Sequence, residues 1–240
     1  RISIPPGKSA IQVNALGYKS LKSQLFLASD TTIYISLQFS PFITEEIVVN
    51  SIRASADMPI SASTIDKSEI SKINSGADLP YLLNQLPSVV VTSDAGNGIG
   101  YTGIRIRGTD PSRINVTING IPVNDAESHN MYWVDLPDIA SSVENIQIQR
   151  GAGTSTNGAS SFGGSVNIKT LSAAEQPFAS ASSSYGSFNT FKNTIQFGTG
   201  RIQDKWSLDG RLSKITSEGY IDRGSSDLKS FFISGGYTGN

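Results

Sequence analysis

The chain has no cysteine, which removes disulfide frameworks, thiolate nucleophiles and Cys-based metal sites together. It is also poor in charge. Asp, Glu, Lys and Arg make up 16% of its 240 residues, against about a quarter in ordinary globular chains. Acid and base nearly cancel, with 19 Lys and Arg against 20 Asp and Glu. Arg105, Arg107, Arg113 and Arg150 are spread along the chain rather than clustered. Nucleic-acid binders carry a basic stripe, so a nucleic-acid partner is excluded. No run of about 18 apolar residues is present, so no transmembrane helix is expected. With a single histidine and no clear ligand set around it, neither a metal site nor a cofactor is expected.

Gly, Ser, Thr and Asn fill the space left by charge, which suits turn-rich β structure. The most informative stretch is Glu144 to Thr170, ENIQIQRGAGTSTNGASSFGGSVNIKT. Two alternating segments, read as half-buried strands, flank a loop of small and polar residues. Residues 153–160 in that loop have P-loop spacing, but Ala159 stands where a phosphate-binding Lys is needed, and β-type sequence follows instead of a helix. Thr156 occupies the third glycine position of a dinucleotide fingerprint. There is no G-x-S-x-G nucleophile elbow. The chain does not read as an enzyme.

Four regions are expected. In residues 1–40, Ile11, Val13 and Ala15, and then Ile33, Ile35 and Leu37, alternate with polar neighbours as strands do. Residues 41–60 are a linker between Pro41 and Pro59 with one β-prone hexapeptide, EEIVVN. Residues 61–170 are mixed α and β. Asp66-Lys67-Ser68-Glu69 is a capping box with Ile65 and Ile70 placed as a hydrophobic staple. Asp78, Pro80 and Leu79, Leu82, Leu83 and Leu86 outline a second helix ended by Pro87. Strands follow at Val89–Thr92, Ile104–Arg107, Ile114–Ile118 and Val143–Gln149, with Asn119-Gly120 as a two-residue hairpin turn. Residues 171–240 change to segments of about ten residues with dyad periodicity: Phe191, Ile195 and Phe197; Trp206, Leu208 and Leu212; Phe231, Ile233 and Tyr237. Outer-membrane barrel strands have this form, with short turns on one side and long loops on the other. A soluble sandwich with one wet face shows the same alternation.

EEIVVN, IRIRG, VTINGIPVND and IQIQRGAGTSTNGASSFGGSVNIKT, in that order and ahead of barrel-like strands, resemble a TonB-dependent outer-membrane receptor. The resemblance covers about residues 45–240. It implies an α+β plug domain followed by antiparallel membrane β-barrel strands, as a fragment of a larger plugged barrel of about 22 strands. Asn14–Tyr18 resembles the end of a carboxypeptidase-regulatory-like β-sandwich, an arrangement similar to receptors of the Bacteroidetes group. The implied function is import of a scarce nutrient (ferric chelate, cobalamin, haem or glycan) into the periplasm with inner-membrane energy. The competing reading is a non-transporting surface or secreted β-sandwich module of adhesin type.

The resemblance also assigns residues. Glu45, Glu46, Ile47, Val48, Val49 and Asn50 match a TonB box, an extended segment that adds as a strand to the TonB C-terminal domain. Arg107 and Arg150, each followed by Gly, match plug arginines that pair with glutamates of the barrel wall. Loops 93–103 and 124–135 are expected to face the extracellular ligand, with Asn97, Tyr101, Asp125, His129, Tyr132 and Trp133 as contacts. Outer-membrane lipid is an expected partner, and a surface lipoprotein is a further one in the glycan-importing branch.

Overall fold

The protein is described from a computed structural model, over residues 7–15, 18, 20–27, 29, 32–38, 53–54, 58–153, 161–203 and 205–237. It divides into two units, residues 1–48 and 49–240. In the first, β1 (Gly7–Val13) pairs antiparallel with β2 (Leu21–Leu27), Gly7 opposite Leu27. The second strand is therefore Leu21–Leu27, and residues 32–38 are not in a strand despite the alternation of Ile33, Ile35 and Leu37. Alternation reports a preference for a pleated surface, but a strand also needs a partner edge, and this segment has none among the described residues.

The second unit opens with β3 (Ala62–Asp66) and α1 (Lys67–Ile73). The capping box forms, and Ile65 and Ile70 are both buried. α2 spans only Leu79–Leu82. Beyond it the chain continues in tight turns, Leu86 N–H to Leu83 O at 3.1 Å and Val89 N–H to Leu86 O at 3.3 Å. The expected longer helix fails because Pro80 and Pro87 leave too few donors between them for the costly first turn to propagate. Leu83 still reaches the core and is fully buried.

β4 (Val89–Ser93) and β5 (Thr102–Ile106) form a hairpin. β6 (Ile114–Ile118), β7 (Ile121–Pro122), β8 (Val143–Arg150) and β9 (Gly164–Thr170) join β3 in a five-stranded sheet of order β3-β8-β9-β6-β7. Only the β6–β9 pair is parallel. Asn119 and Gly120 turn β6 into β7 with φ of 50° and 85°, as a type I′ turn requires. Gly164 is demanded by packing: a Cβ there would stand 2.7 Å from the Gln149 carbonyl of β8.

Both faces of this sheet are covered, which the sequence reading of half-buried strands does not anticipate. One face carries Ile65, Ile114, Val116, Ile146, Ile148, Val166 and Ile168, which join Leu79, Leu82, Leu83, Ile104, Ile106 and Trp133 in the core. Each fully buried aliphatic side chain stabilises by about 1.5–3 kcal/mol. The other face holds Asn115, Thr117, Gln147, Gln149, Ser165 and Asn167, all buried and all uncharged.

Four long strands follow: β10 (Pro177–Gly186), β11 (Thr190–Thr199), β12 (Trp206–Ser217) and β13 (Ser226–Tyr237), paired in sequence as an antiparallel meander. Their burial is inverted relative to a soluble sheet. Phe191, Ile195, Trp206, Leu212, Phe231 and Ile233 are exposed, while their neighbours Lys192, Thr194, Arg211 and Ser213 are buried. The polar face packs on the α+β unit and the apolar face points outward. Aromatic pairs sit at both ends of the outward face, Trp206 with Tyr237 and Tyr185 with Phe191, each with ring centroids 4.6 Å apart. Apolar-out, polar-in strands with aromatic ends are the arrangement of a lipid-embedded barrel wall. A soluble sandwich would bury Phe231 and expose Arg211. The expected turn asymmetry is only partial: the three-residue 187–189 connection lies at the same end as the longer 218–225 connection.

A charge on the outward face should disrupt membrane assembly. In lipid, Phe231→Arg should cost roughly 2–4 kcal/mol of strand-wall stability and reduce the heat-modifiable folded band on gels, while Phe231→Leu should not. Equal bands for the two variants would place this face in water.

Candidate functional site

The contact between the α+β unit and the strand wall is built around Asp138. Its backbone is left-handed, φ 54°, at the start of a short 3-10 turn, Ile139–Ser142, which aims the carboxylate at β11 and β12. Lys192 Nζ lies 2.7 Å from Oδ1 and Arg211 Nη1 lies 3.0 Å from Oδ2. Thr194 and Ser213 hydroxyls donate to Oδ2, and the Ser141 hydroxyl donates to Oδ1 at 2.6 Å. Lys192 also donates to Asn74 Oδ1 at 2.8 Å, and Arg211 to the Asp138 carbonyl at 2.6 Å. The Asp138 side chain is fully shielded from solvent. Burial pushes its carboxyl upward, but the Lys192 charge and the Lys192, Ser141 and Ser213 hydrogen bonds outweigh that and draw it down to about 2.

Further polar contacts line the same boundary. Gln196 Nε2 donates to Ser141 O at 2.6 Å, Ser184 Oγ to Ser75 O at 3.1 Å, and Asn97 Nδ2 to Ser217 Oγ at 2.7 Å. Tyr220 N–H donates to Ala95 O at 2.8 Å. The dyad alternation of these strands implies the inward positions of Lys192, Thr194 and Arg211 but not their partner. Asp138 lies in an unpatterned stretch, LPDIAS, and only the folded chain shows which charge it meets.

The sequence-derived site residues are distributed as follows. Arg150 Nε donates to Ser61 Oγ at 2.9 Å and Nη1 to Ser63 Oγ at 3.2 Å, across to β3. Arg107 has φ 53°, and its guanidinium lies beside Gly151, where a Cβ would stand 2.8 Å from Nη1. The two Arg-Gly steps therefore meet in space. The ion pairs that tie the α+β unit to the strand wall among the described residues are those of Asp138. Residues 45–50 lie outside the described residues.

In loop 93–103, Tyr101 is exposed, whereas Asn97 turns to the strand wall and bonds Ser217. In loop 124–135, Asp125 accepts hydrogen bonds from the Ser128 backbone and hydroxyl and from Glu127 N–H. The Ser128 bonds hold its carboxyl below the usual carboxylate range. His129 and Tyr132 are exposed, and Tyr132 donates to Ser128 Oγ at 3.2 Å. Trp133 is corrected: it is 2% exposed and belongs to the core. A large apolar ring next to Met131 and Leu136 gains more from burial than from solvent.

Asp78 anchors loop 93–103 from below. Its N–H donates to Gly98 O at 2.8 Å and its Oδ2 accepts from Thr102 Oγ1 at 2.8 Å. Oδ1 is buried with no hydrogen-bond partner among the described residues. Burial pushes this carboxyl up to about 7, against the Thr102 hydrogen bond.

Residues 54–165 match the TonB-dependent Receptor Plug Domain family. The chain is 28% identical over 200 residues to the vitamin B12 transporter BtuB of Vibrio vulnificus, covering 83% of this chain. It spans only 30% of that relative's length. Its fold is similar to that of P. aeruginosa FpvA bound to a heterologous pyoverdine (TM-score 0.61, 13% identity, 75% of this chain and 23% of that one). It is also similar to the siderophore receptor PiuA of Acinetobacter baumannii (TM-score 0.57, 21% identity, 78% and 25%). The ferric yersiniabactin uptake receptor FyuA of Yersinia pestis gives a TM-score of 0.56 at 17% identity, over 76% and 29%. Residues 54–165 thus match a TonB-dependent receptor plug domain, and this region with the antiparallel strands after it is similar in fold to outer-membrane receptors of that kind.

Two predictions follow from the buried carboxylates. In the full-length receptor, Asp138→Ala leaves two cations buried without their counter-charge and should cost about 3–5 kcal/mol, read as a lower urea midpoint for plug unfolding. Replacing Asp138, Lys192 and Arg211 together by Leu, Met and Met should restore most of that loss; no recovery would mean the ion pairs are not the cause. For Asp78, the raised folded value means that the folded state keeps a proton the unfolded state has lost. Stability should fall as pH rises from about 4 to 7, by up to about 4 kcal/mol, and then level off. Asp78→Asn should flatten this dependence, measured as amide protection at Gly98 and Thr102 corrected for intrinsic exchange.

Proposed function

We propose that the full-length receptor binds a scarce nutrient outside the cell and imports it to the periplasm by work done on the plug from the inner membrane. The observation that carries this reading is a polar plug interface wrapped by strands whose apolar face points to lipid. A plug held inside a wall blocks the lumen, so import requires that something move it. The outer membrane has no energy source of its own. Residues Glu45 to Asn50 supply the handle: this Ile- and Val-rich sequence suits backbone pairing with the sheet edge of the TonB C-terminal domain.

The ligand belongs to the class of ferric chelates, cobalamins, haem or glycans. Sequence similarity to a vitamin B12 transporter favours testing cobalamin first. Tyr101, Asp125, His129 and Tyr132 are the candidate contacts, since all four side chains reach solvent. Arg107 and Arg150 are proposed to meet carboxylates of later barrel strands. The bidentate guanidinium fork suits that pairing.

In cells expressing the full receptor, a panel of radiolabelled cobalamin, ferric siderophores and haem should identify one compound that accumulates only when the inner membrane is energised. Val48→Pro removes a strand donor and should abolish that uptake while leaving surface binding unchanged. Uptake equal to wild type would remove residues 45–50 from energy coupling.

A further inference from the structure

Side chains on the outward face of the strand wall stand in rows across its four strands. Ala181, Ile195, Leu212 and Phe231 make one row, and Ser183, Asn193, Lys214 and Lys229 make the next. Tyr185, Phe191, Thr216 and Asp227 follow, one row nearer the 187–189 and 218–225 connections. Lys214 and Lys229 are therefore direct partners across β12 and β13, and both are exposed. Like charges directly opposite one another destabilise a strand pair. A cation on a lipid-facing strand also costs more the deeper it lies. These two lie one row inside the Tyr185–Phe191 pair, about 7 Å along the strand.

Little in the chain neutralises them. Lys214 Nζ is 3.9 Å from Asp227 Oδ1, with both side chains more than half exposed, 52% and 59%. Lys229 forms no ion pair among the described residues. Asn193 Oδ1 accepts from Ser183 Oγ at 2.8 Å, so its amide N–H groups remain as donors beside Lys214. A groove of about 440 Å³ lies over this crossing. Asn193, Lys214 and Lys229 form its polar end, and Ile195, Leu212 and Phe231 its apolar end. Cations at one end and exposed aliphatic and aromatic surface at the other match an amphiphile with an anionic head. The neighbouring connection sets the leaflet. Tyr220 N–H donates to Ala95 O of loop 93–103 at 2.8 Å, and that loop carries Tyr101, proposed above to meet ligand outside the cell.

We propose that Lys214, Lys229 and Asn193 bind a phosphate of the phosphorylated glycolipid of the outer leaflet, with an acyl chain of the same molecule along Ile195, Leu212 and Phe231. The inference rests on the reading above that loop 93–103 faces outside. One phosphate set between the two ammonium groups turns a repulsive pair into two charge-assisted hydrogen bonds, and the Asn193 amide adds a third. A phosphate monoester carries a charge of about −1.5 to −2 at pH 7, enough to answer both lysines. A phosphodiester headgroup brings a single negative charge and answers one. Asp227 competes, because it draws Lys214 away and repels an anion.

The test uses the full-length receptor, delipidated in nonionic detergent and shown to be folded by its heat-modifiable band. It is titrated with bisphosphoryl lipid A, with lipid A stripped of phosphate, and with phosphatidylglycerol, and bound lipid is counted by native mass spectrometry. Bisphosphoryl lipid A should bind at least tenfold more tightly than either comparator. Lys214→Gln and Lys229→Gln should each weaken it about tenfold, Lys229→Arg should retain it, and Asp227→Asn should tighten it severalfold. Lys205→Gln, in the connection at the other end of β12, should change nothing. Equal binding of dephosphorylated lipid A, or no loss in the two glutamine variants, would overturn the site and leave the lysines as side chains that only reach for water. Phosphatidylglycerol bound as tightly as lipid A would overturn the glycolipid as occupant. Asp222→Cys, probed in intact cells with an impermeant maleimide, tests sidedness separately. Labelling there is expected; its absence would instead overturn the outward reading of loop 93–103 and the outer-leaflet assignment with it.

Discussion

The structure depends on one inversion. β11, β12 and β13 turn Lys192, Thr194, Arg211 and Ser213 inward and leave Phe191, Leu212, Phe231 and Ile233 outside. In water that arrangement is unfavourable, because each exposed aromatic forgoes its burial free energy. In a bilayer it is the only stable one, since lipid solvates the apolar face and the backbone bonds are satisfied between strands. Every other feature follows from having a polar surface to pack against. Asp138 finds two cations, Gln196 and Ser184 find backbone carbonyls, and Asn97 finds Ser217.

The plug sheet has two unlike buried faces. The aliphatic face holds the fold together through burial that is costly to undo. The amide and hydroxyl face is held by hydrogen bonds that water can replace. The Asp138 cluster joins the α+β unit to the strand wall.

Much of this was legible in the sequence because it is local. The capping box at Asp66–Glu69, the Asn119-Gly120 turn and the dyad alternation of residues 191–237 each follow from a short-range rule, and each forms. The second helix was overread, because apolar spacing at Leu79, Leu82, Leu83 and Leu86 reports which side chains are buried and not whether a hydrogen-bond ladder can start between two prolines. Ile33 to Leu37 was overread as a strand for want of a partner. Trp133 was placed at a ligand-facing loop because loops are usually wet, whereas its ring enters the core. The Asp138 cluster joins residues 138, 192 and 211, separations at which no periodicity or motif operates. The double burial of β8 was hidden by its own alternation, since I-Q-I-Q reads as one wet face until something is seen to cover the glutamines.

The most direct measurement is nitroxide accessibility along residues 228–237 of the full-length receptor in lipid bilayers, scored against an apolar and a polar relaxation agent. The account predicts a period of two: oxygen-accessible, water-inaccessible labels at 231 and 233, and the reverse or shielding from both at 230, 232 and 234. Labels at 231 and 233 that respond to the polar agent as strongly as free surface sites would contradict it.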